Sequence, residues 1–208
     1  MHLAHFLMAV LAGLAIAAPV GPIGVICIRR TLEHGFARGF ASGLGAAMAD
    51  GCYGLIAAVS MTSALSIISP HATVMNLCAA LLLFKIGVDT LTSSPKDETG
   101  KADSADKKGL LSSFISTLVL TFLNPMTIMS FVAVFAAIGV KELEAAREST
   151  LIIVLGVFFG SLLWWLFLCA MVAKVRERLS KSSMTTINRI SGMVVIAFGL
   201  ICLSKIWT

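Results

Sequence analysis

Charge is what this 208-residue chain has least of: 13% of its residues are Asp, Glu, Lys or Arg, against about a quarter in a soluble domain. It holds a single tyrosine and only 8% aromatic residues, so its 58% apolar content is aliphatic. Mean hydropathy reaches +0.95. Such a composition excludes a disordered chain, a disulfide scaffold, a nucleic-acid binder and nearly every soluble enzyme. The net charge of +5 would suit a nucleic acid, but basic residues also collect in the cytoplasmic loops of polytopic membrane proteins. The long apolar runs select that second reading. Five cysteines (Cys27, Cys52, Cys78, Cys169, Cys202) lie inside those runs without any CxxC pairing, so they read as small packing residues. His2, His5, His34 and His71 are scattered over loops and ends. No metal site and no cofactor are expected. P-loop, dinucleotide and nucleophile motifs are also missing, which leaves neither ATP drive nor an enzyme's chemistry.

A helical span needs about 20 apolar residues. Such runs occur at about 4–28, 39–64, 72–92, 112–139, 150–173 and 190–207. The breaks are the basic stretch from Arg29 to Arg38, the Ser69-Pro70-His71 turn, the polar linker after Ser93, and the charged stretches Lys141–Glu148 and Lys174–Arg189. No Lys or Arg precedes Arg29, so the first span lacks the basic start of a signal peptide and is expected to stay in place. Six spans put the loops on alternating sides. One side carries three Lys/Arg in 29–38, four in 93–109 and five in 174–189, twelve in all, while the other side carries three. The positive-inside rule places both termini outside and the 93–109 linker in the cytoplasm.

The halves look related. Pro19 corresponds to Pro125 at a spacing of 106, Gly45 to Gly156 at 111, and Asn76 to Asn188, Gly87 to Gly199 and Leu91 to Leu203 at 112. Three spans per repeat is an odd number, so the halves enter the bilayer from opposite sides. The expected fold is an all-α polytopic membrane protein of six transmembrane helices in two inverted three-helix repeats. Residues 1–92 form the first, 93–111 the charged linker and 112–208 the second. Secondary transporters often have this architecture, with their sites near midplane at the repeat interface.

Irregular backbone survives in hydrocarbon only where protein or a water cavity covers it. Ala18-Pro19-Val20-Gly21-Pro22-Ile23-Gly24 interrupts the first span and Leu123-Asn124-Pro125 the fourth, at matching places. Paired interruptions point to a binding site; a pair of structural kinks is the competing reading. Asp50 is the acidic residue deep in the second span, on a face of Gly43, Ala46, Ala47 and Gly54. A carboxylate at midplane costs roughly 2.5–3.5 kcal/mol on the insertion scale, so it must be balanced by a partner, water or a proton. Proton coupling and a structural hydrogen-bond anchor both fit. Lys85 and Asp89, four apart on the third span, suit an ion pair along one helix face. Asn76 and Asn188, near the starts of their helices, suit capping as well as function. Trp164 and Trp165 fall inside the fifth span, where lining a cavity and plain packing are equally open.

The Ala18-Pro19-Val20-Gly21-Pro22 turn, the loop from Arg29-Arg30-Thr31 to Gly35-Phe36-Ala37-Arg38-Gly39, the Gly43-Leu44-Gly45 run with Asp50, and Asn124-Pro125 together resemble the LysE-type amino-acid exporters. That family includes lysine exporters and the homoserine/threonine-resistance efflux proteins. The resemblance implies export of amino acids or related metabolites across a bacterial inner membrane, driven by the proton motive force. Carried over by position, Pro19, Gly21, Pro22, Asn124 and Pro125 would bind substrate and Asp50 would couple the proton. The partners would be an amino acid, protons and the lipid bilayer, and a homo-oligomer is compatible with the sequence. A cation or heavy-metal exporter of a related superfamily would want a His-rich loop or paired cysteines, and a non-transporting membrane protein would not need a midplane aspartate.

Overall fold

Proline and glycine decide where the helices stop. In a computed structural model, residues 2–19, 21–68, 71–92, 107–124, 127–128, 130–131, 150–176 and 181–204 are described. Its principal helices are α1 (His2–Ala17), α2 (Pro22–His34), α3 (Phe36–Ile68), α4 (Ala72–Thr92), α5 (Lys107–Leu123), α6 (Thr150–Arg176) and α7 (Lys181–Ser204), and no strand occurs among the described residues. Pro70, Pro125, the linker residues 93–106 and the 140–149 loop lie outside them.

α1 closes with the Ala18 amide on the Leu14 carbonyl at 2.9 Å. Pro19 follows in a bend, Gly21 is extended, and Pro22 opens α2. A first-turn amide has no intrahelical acceptor, so proline loses nothing at that position. The two helices meet at 81°, which is the interruption expected from the Pro-Gly-Pro run.

The basic stretch 29–38, expected as a loop, is helical. α2 runs on to His34 and only Gly35 separates it from α3. Arg29 and Glu33, one turn apart, pair at 2.9 Å, and the guanidinium groups of Arg29 and Arg30 both bond side chains of other helices. Gly35 turns the chain at φ +84°, its amide capping the Thr31 carbonyl at 3.0 Å. From the second half, Arg176 Nε donates to the Leu32 carbonyl at 2.8 Å, satisfying a last-turn acceptor of α2. α5 likewise opens at Lys107, inside the stretch expected as linker, and α7 at Lys181 instead of about 190.

α1 packs along α6, α5 along α3, α3 along α6 and α4 along α7, while α2 lies against α3, α6 and α7. Lipid gives no hydrophobic push between helices, so small residues that admit close backbone approach hold them together. A Cβ on Gly156 of α6 would lie 2.4 Å from the Ala9 Cβ of α1, and one on Gly87 of α4 would lie 2.5 Å from Ile196 of α7. Leu151, Leu155, Phe159 and Leu163 expose one face of α6, and Leu3, Leu7 and Leu11 one face of α1. Ser42, Thr117, Thr121 and Ser161 are buried instead. Apolar outside and hydroxyl inside is the pattern lipid selects. Among the described residues, Thr73–Thr92, Leu151–Arg176 and Thr185–Ser204 are each long and apolar enough to cross a bilayer, and α1 with α2 adds a fourth if the bent pair is one span. The expected span at 112–139 leaves the described residues after Phe131, and α3 is diluted by Arg38, Ser42, Asp50 and its glycines.

Candidate functional site

The two interruptions meet at one cavity of about 70 Å³. One water needs roughly 10–15 Å³ of such space, so there is room for several. Pro19, Gly21, Ile23 and Gly24 supply the wall from the α1–α2 break, Ala46 and Asp50 the wall from α3. Opposite them stand Thr121, Asn124, Thr127 and Ser130 around the end of α5, and Trp165 of α6.

Asp50 is 3% exposed. Ser161 Oγ donates to its Oδ2 at 2.6 Å, and Trp165 Nε1 donates to Ser161 Oγ at 3.1 Å. The indole thus fixes the hydroxyl so that its proton points at the carboxylate. No described residue hydrogen-bonds Oδ1, which leaves that oxygen for whatever fills the cavity. Three residues on, Tyr53 donates to the Phe122 carbonyl at 2.8 Å, one of the last-turn acceptors α5 cannot satisfy itself. Its ring packs between Phe122 and Phe131, with centroids 5.5 and 5.4 Å away.

The helix ends supply the rest of the polarity. The Val25 amide makes a bond to the Gly21 carbonyl at 3.2 Å, so the amides of Ile23 and Gly24 precede the α2 ladder and border the cavity. First-turn amides without an intrahelical acceptor and the helix dipole together favour an anion. At the other break the Asn124 amide reaches the Thr121 carbonyl at 3.3 Å and the Thr127 amide reaches the Asn124 carbonyl at 3.1 Å, so the chain turns there.

Of the residues singled out from sequence, Pro19, Gly21, Asn124 and Asp50 stand in one wall system. Pro22 is buried next to it, in the first turn of α2. Pro125 lies outside the described residues. Lys85 and Asp89 are both exposed on α4, and among the described residues no ion pair joins them; exposed pairs gain only about 0–1 kcal/mol and nothing forces them together. Asn76 is the fifth residue of α4 and is buried with Oδ1 unpartnered, so it caps nothing. Trp165 and Trp164 separate cleanly: the first is 4% exposed in the cavity wall, the second packs on Phe167 at 6.1 Å. Sequence reasoning missed Ser161, although its spacing of four from Trp165 places both on one helix face. It also missed Thr121, Thr127 and Ser130, because hydroxyls in membrane helices commonly bond their own backbone and carry little signal.

Comparison with known proteins identifies the family of the chain. The profile of the LysE type translocator family matches residues 14–205. A Bacillus subtilis (strain 168) protein named "Putative amino acid efflux protein YcgF" is 26% identical over 196 residues, covering 93% of this chain and 92% of that one. No solved structure matches. With a match running from α1 to the end of α7 and a multi-pass set of lipid-facing helices, the chain belongs to the LysE type translocator family.

Proposed function

We propose that the protein exports amino acids, or closely related small metabolites, across a bacterial inner membrane by exchange with protons. The observation that carries this reading is Asp50 in the wall of a cavity built by both helix interruptions. An amino acid is a zwitterion. The first-turn amides of α2 offer donors for its carboxylate, while the last carbonyls of α1 and the free oxygen of Asp50 offer acceptors for its ammonium. A proton on Asp50 and an ammonium beside it compete for one charge, which is the condition for antiport. Pro19, Gly21, Pro22, Asn124 and Pro125 shape the site and Asp50 couples it. The similarity to a protein named for amino acid efflux favours the same class of substrate.

Two inverted three-helix repeats supply the motion. Supporting this, helix contacts are exchanged between corresponding positions. Gly87 meets Ile196 while Gly199 meets Phe84; each residue of the second pair is 112 from its counterpart in the first. Gly45 meets the Phe114 carbonyl of α5 and Gly156 meets Phe6 and Ala9 of α1, so each of these paired glycines packs on the first helix of the opposite half. Alternating access then moves one three-helix group against the other around the cavity. At about 70 Å³ the cavity is narrow, so a bulky substrate side chain is expected to need that movement.

The test is efflux of labelled amino acids from cells overproducing the protein, with and without a protonophore. Faster efflux that collapses with the proton gradient is expected. Efflux equal to that of control cells for every amino acid tried would overturn the reading, and efflux indifferent to the protonophore would remove the proton from it.

A further inference from the structure

Arg30 has a role that neither the cavity nor Asp50 accounts for. It projects from α2 toward the basic end of the molecule, and its guanidinium grips two other helices. Nη1 donates to Ser42 Oγ of α3 at 2.8 Å, to the Ser113 carbonyl of α5 at 3.0 Å and to Thr117 Oγ1 at 3.0 Å, while Nη2 donates to Ser116 Oγ at 2.9 Å. All four acceptors are neutral. The neighbouring carboxylate, Glu33, is engaged by Arg29 at 2.9 Å, and no described carboxylate lies within ion-pair distance of Arg30. The hydroxyls are tied as well. Ser42 donates to the Arg38 carbonyl, and Ser116 and Thr117 both donate to the Ser113 carbonyl, so each offers Arg30 only lone pairs. A half-buried guanidinium thus sits in a cradle of neutral acceptors, with no described carboxylate bonded to it.

Its position explains what the cradle is for. Ser42 is one turn from Ala46, and Thr117 one turn from Thr121; Ala46 and Thr121 are both in the cavity wall. On α5, Ser113, Ser116, Thr117 and Thr121 recur at helical spacing on one face, and Asn124 follows just past its end, a stripe of polar groups from Arg30 to the cavity. Thr121 continues the pattern by donating to the Thr117 carbonyl at 2.8 Å. The backbones of α2 and α5 come close at few positions, and Arg30 bridges them with side-chain hydrogen bonds. Apolar side chains of both helices join one core beyond this stripe, but along the stripe itself the seam is lined by a guanidinium and hydroxyls, so opening it there exposes polar groups that water or a polar substrate can satisfy.

We propose that the seam between α2 and α5 is the substrate's route between the basic end of the protein and the cavity, with Arg30 as its latch and as the first group to take the substrate's carboxylate. A carboxylate accepts two guanidinium N–H groups side by side, a stronger pairing than neutral hydroxyls give. Arriving substrate therefore replaces Ser116 and Thr117 on Arg30, the clasp opens, and the hydroxyl stripe leads the substrate to Asn124 and Asp50. The seam and its latch rest on geometry alone; the identity of the passenger rests on the amino-acid reading above.

The experiment uses Thr121→Cys in otherwise intact protein, labelled with a membrane-impermeant maleimide in vesicles of both orientations and corrected for labelling of the five native cysteines. Slow labelling is expected from either face. Adding Ser116→Ala and Thr117→Ala should raise the rate from the basic face alone by about tenfold, the equivalent of one charge-assisted hydrogen bond. No change, or an equal rise from both faces, would overturn the seam. In reconstituted vesicles, Arg30→Gln should raise KM for alanine presented at the basic face by about tenfold, with Arg30→Lys falling between. A structural arginine predicts lower membrane abundance with an unchanged KM in the protein that remains, and that result would remove Arg30 from the route. Wild-type protein that moves no amino acid, yet labels as described, would sink the exporter reading and leave the seam standing.

Discussion

Gly45 of α3 lies so close to Phe114 of α5 that a Cβ on the glycine would come within 2.3 Å of the Phe114 carbonyl oxygen, and within 3.1 Å of the Leu118 amide. Both atoms are backbone and cannot rotate away. Gly156 stands in the same relation to α1, 2.4 Å from the Ala9 Cβ and 3.0 Å from the Phe6 carbonyl. These two contacts bring the interrupted helices against α3 and α6, and so set the width of the cavity between them.

Gly45→Ala and Gly156→Ala should therefore each push a helix pair apart. Overpacking of this kind costs about 1–3 kcal/mol. Gly54→Ala is the control, since the atoms nearest its Cβ would be those of the Val157 side chain, no closer than 3.3 Å. Thermal melts in detergent should rank Gly54→Ala near wild type and both other variants several degrees lower. Equal melting of all three would mean that these helices tolerate separation.

The Trp165–Ser161–Asp50 chain gives a second outcome. Ser161→Ala removes the donor to a buried carboxylate, which costs about 1–3 kcal/mol. Trp165→Phe keeps most of the packing and loses the bond that orients Ser161, a cost of about 0.5–1.5 kcal/mol. If the three act as one unit, combining the two substitutions should cost less than their sum, because the indole has nothing left to orient once Ser161 is gone. Strict additivity in denaturation would show that they are independent.

Much of this arrangement is legible from sequence where a residue type breaks a strong rule. Two prolines and two glycines in a membrane span, and an aspartate on a glycine-alanine face, violate what lipid favours, and Pro19, Gly21 and Asp50 all reach the cavity. Residues that follow the rules gave no such signal. Ser161 and Thr121 look like ordinary small packing residues until another helix is placed beside them. Arg29 and Arg30 looked like loop charges because a run of basic residues normally ends a span; a helix that finds acceptors on α3 and α5 can carry them onward. Lys85 and Asp89 show the converse: correct spacing for a pair, with no burial to enforce it.

Gly35 and Gly21 should respond oppositely to alanine. At φ +84° and ψ 175° Gly35 occupies backbone space essentially reserved for glycine, so Gly35→Ala costs about 1–3 kcal/mol and loosens the joint between α2 and α3. Gly21 has φ −105° and nothing within 4 Å of a built Cβ. Gly21→Ala should fold like wild type while placing a methyl in the cavity wall. Melting and transport measured together should show stability falling for the first and transport falling for the second. Wild-type transport by Gly21→Ala would argue that substrate does not approach this stretch of backbone.

Orientation is open to direct measurement. The basic end gathers Arg29, Arg30, Arg38 and Arg176, and the positive-inside rule assigns it to the cytoplasm. A reporter active only in the cytoplasm, inserted between residues 96 and 105, should be active, and a periplasm-dependent reporter at the same place silent. The opposite pattern would invert the molecule and turn the α2–α5 seam into an outward route.

Asparagine has nearly the shape of aspartate and can still accept the Ser161 proton through its carbonyl oxygen, but it cannot exchange a proton with the cavity. If Asp50 couples transport, Asp50→Asn should reach the membrane in normal amounts and lose concentrative efflux, while exchange of labelled for unlabelled substrate without net proton movement survives. Asp50→Ala should lower abundance as well, since Ser161 and Trp165 then face an empty space. Asp50→Glu keeps the titrating group but adds a methylene to a cavity of about 70 Å³, and should transport slowly with its dependence on external pH intact. An aspartate that only anchors the fold predicts another ranking: Asn indistinguishable from wild type in efflux and in pH dependence, with only Ala impaired. Abundance, efflux and exchange measured for Asn, Ala and Glu across external pH separate these two patterns, and full concentrative efflux by Asp50→Asn would place the coupling proton on another residue.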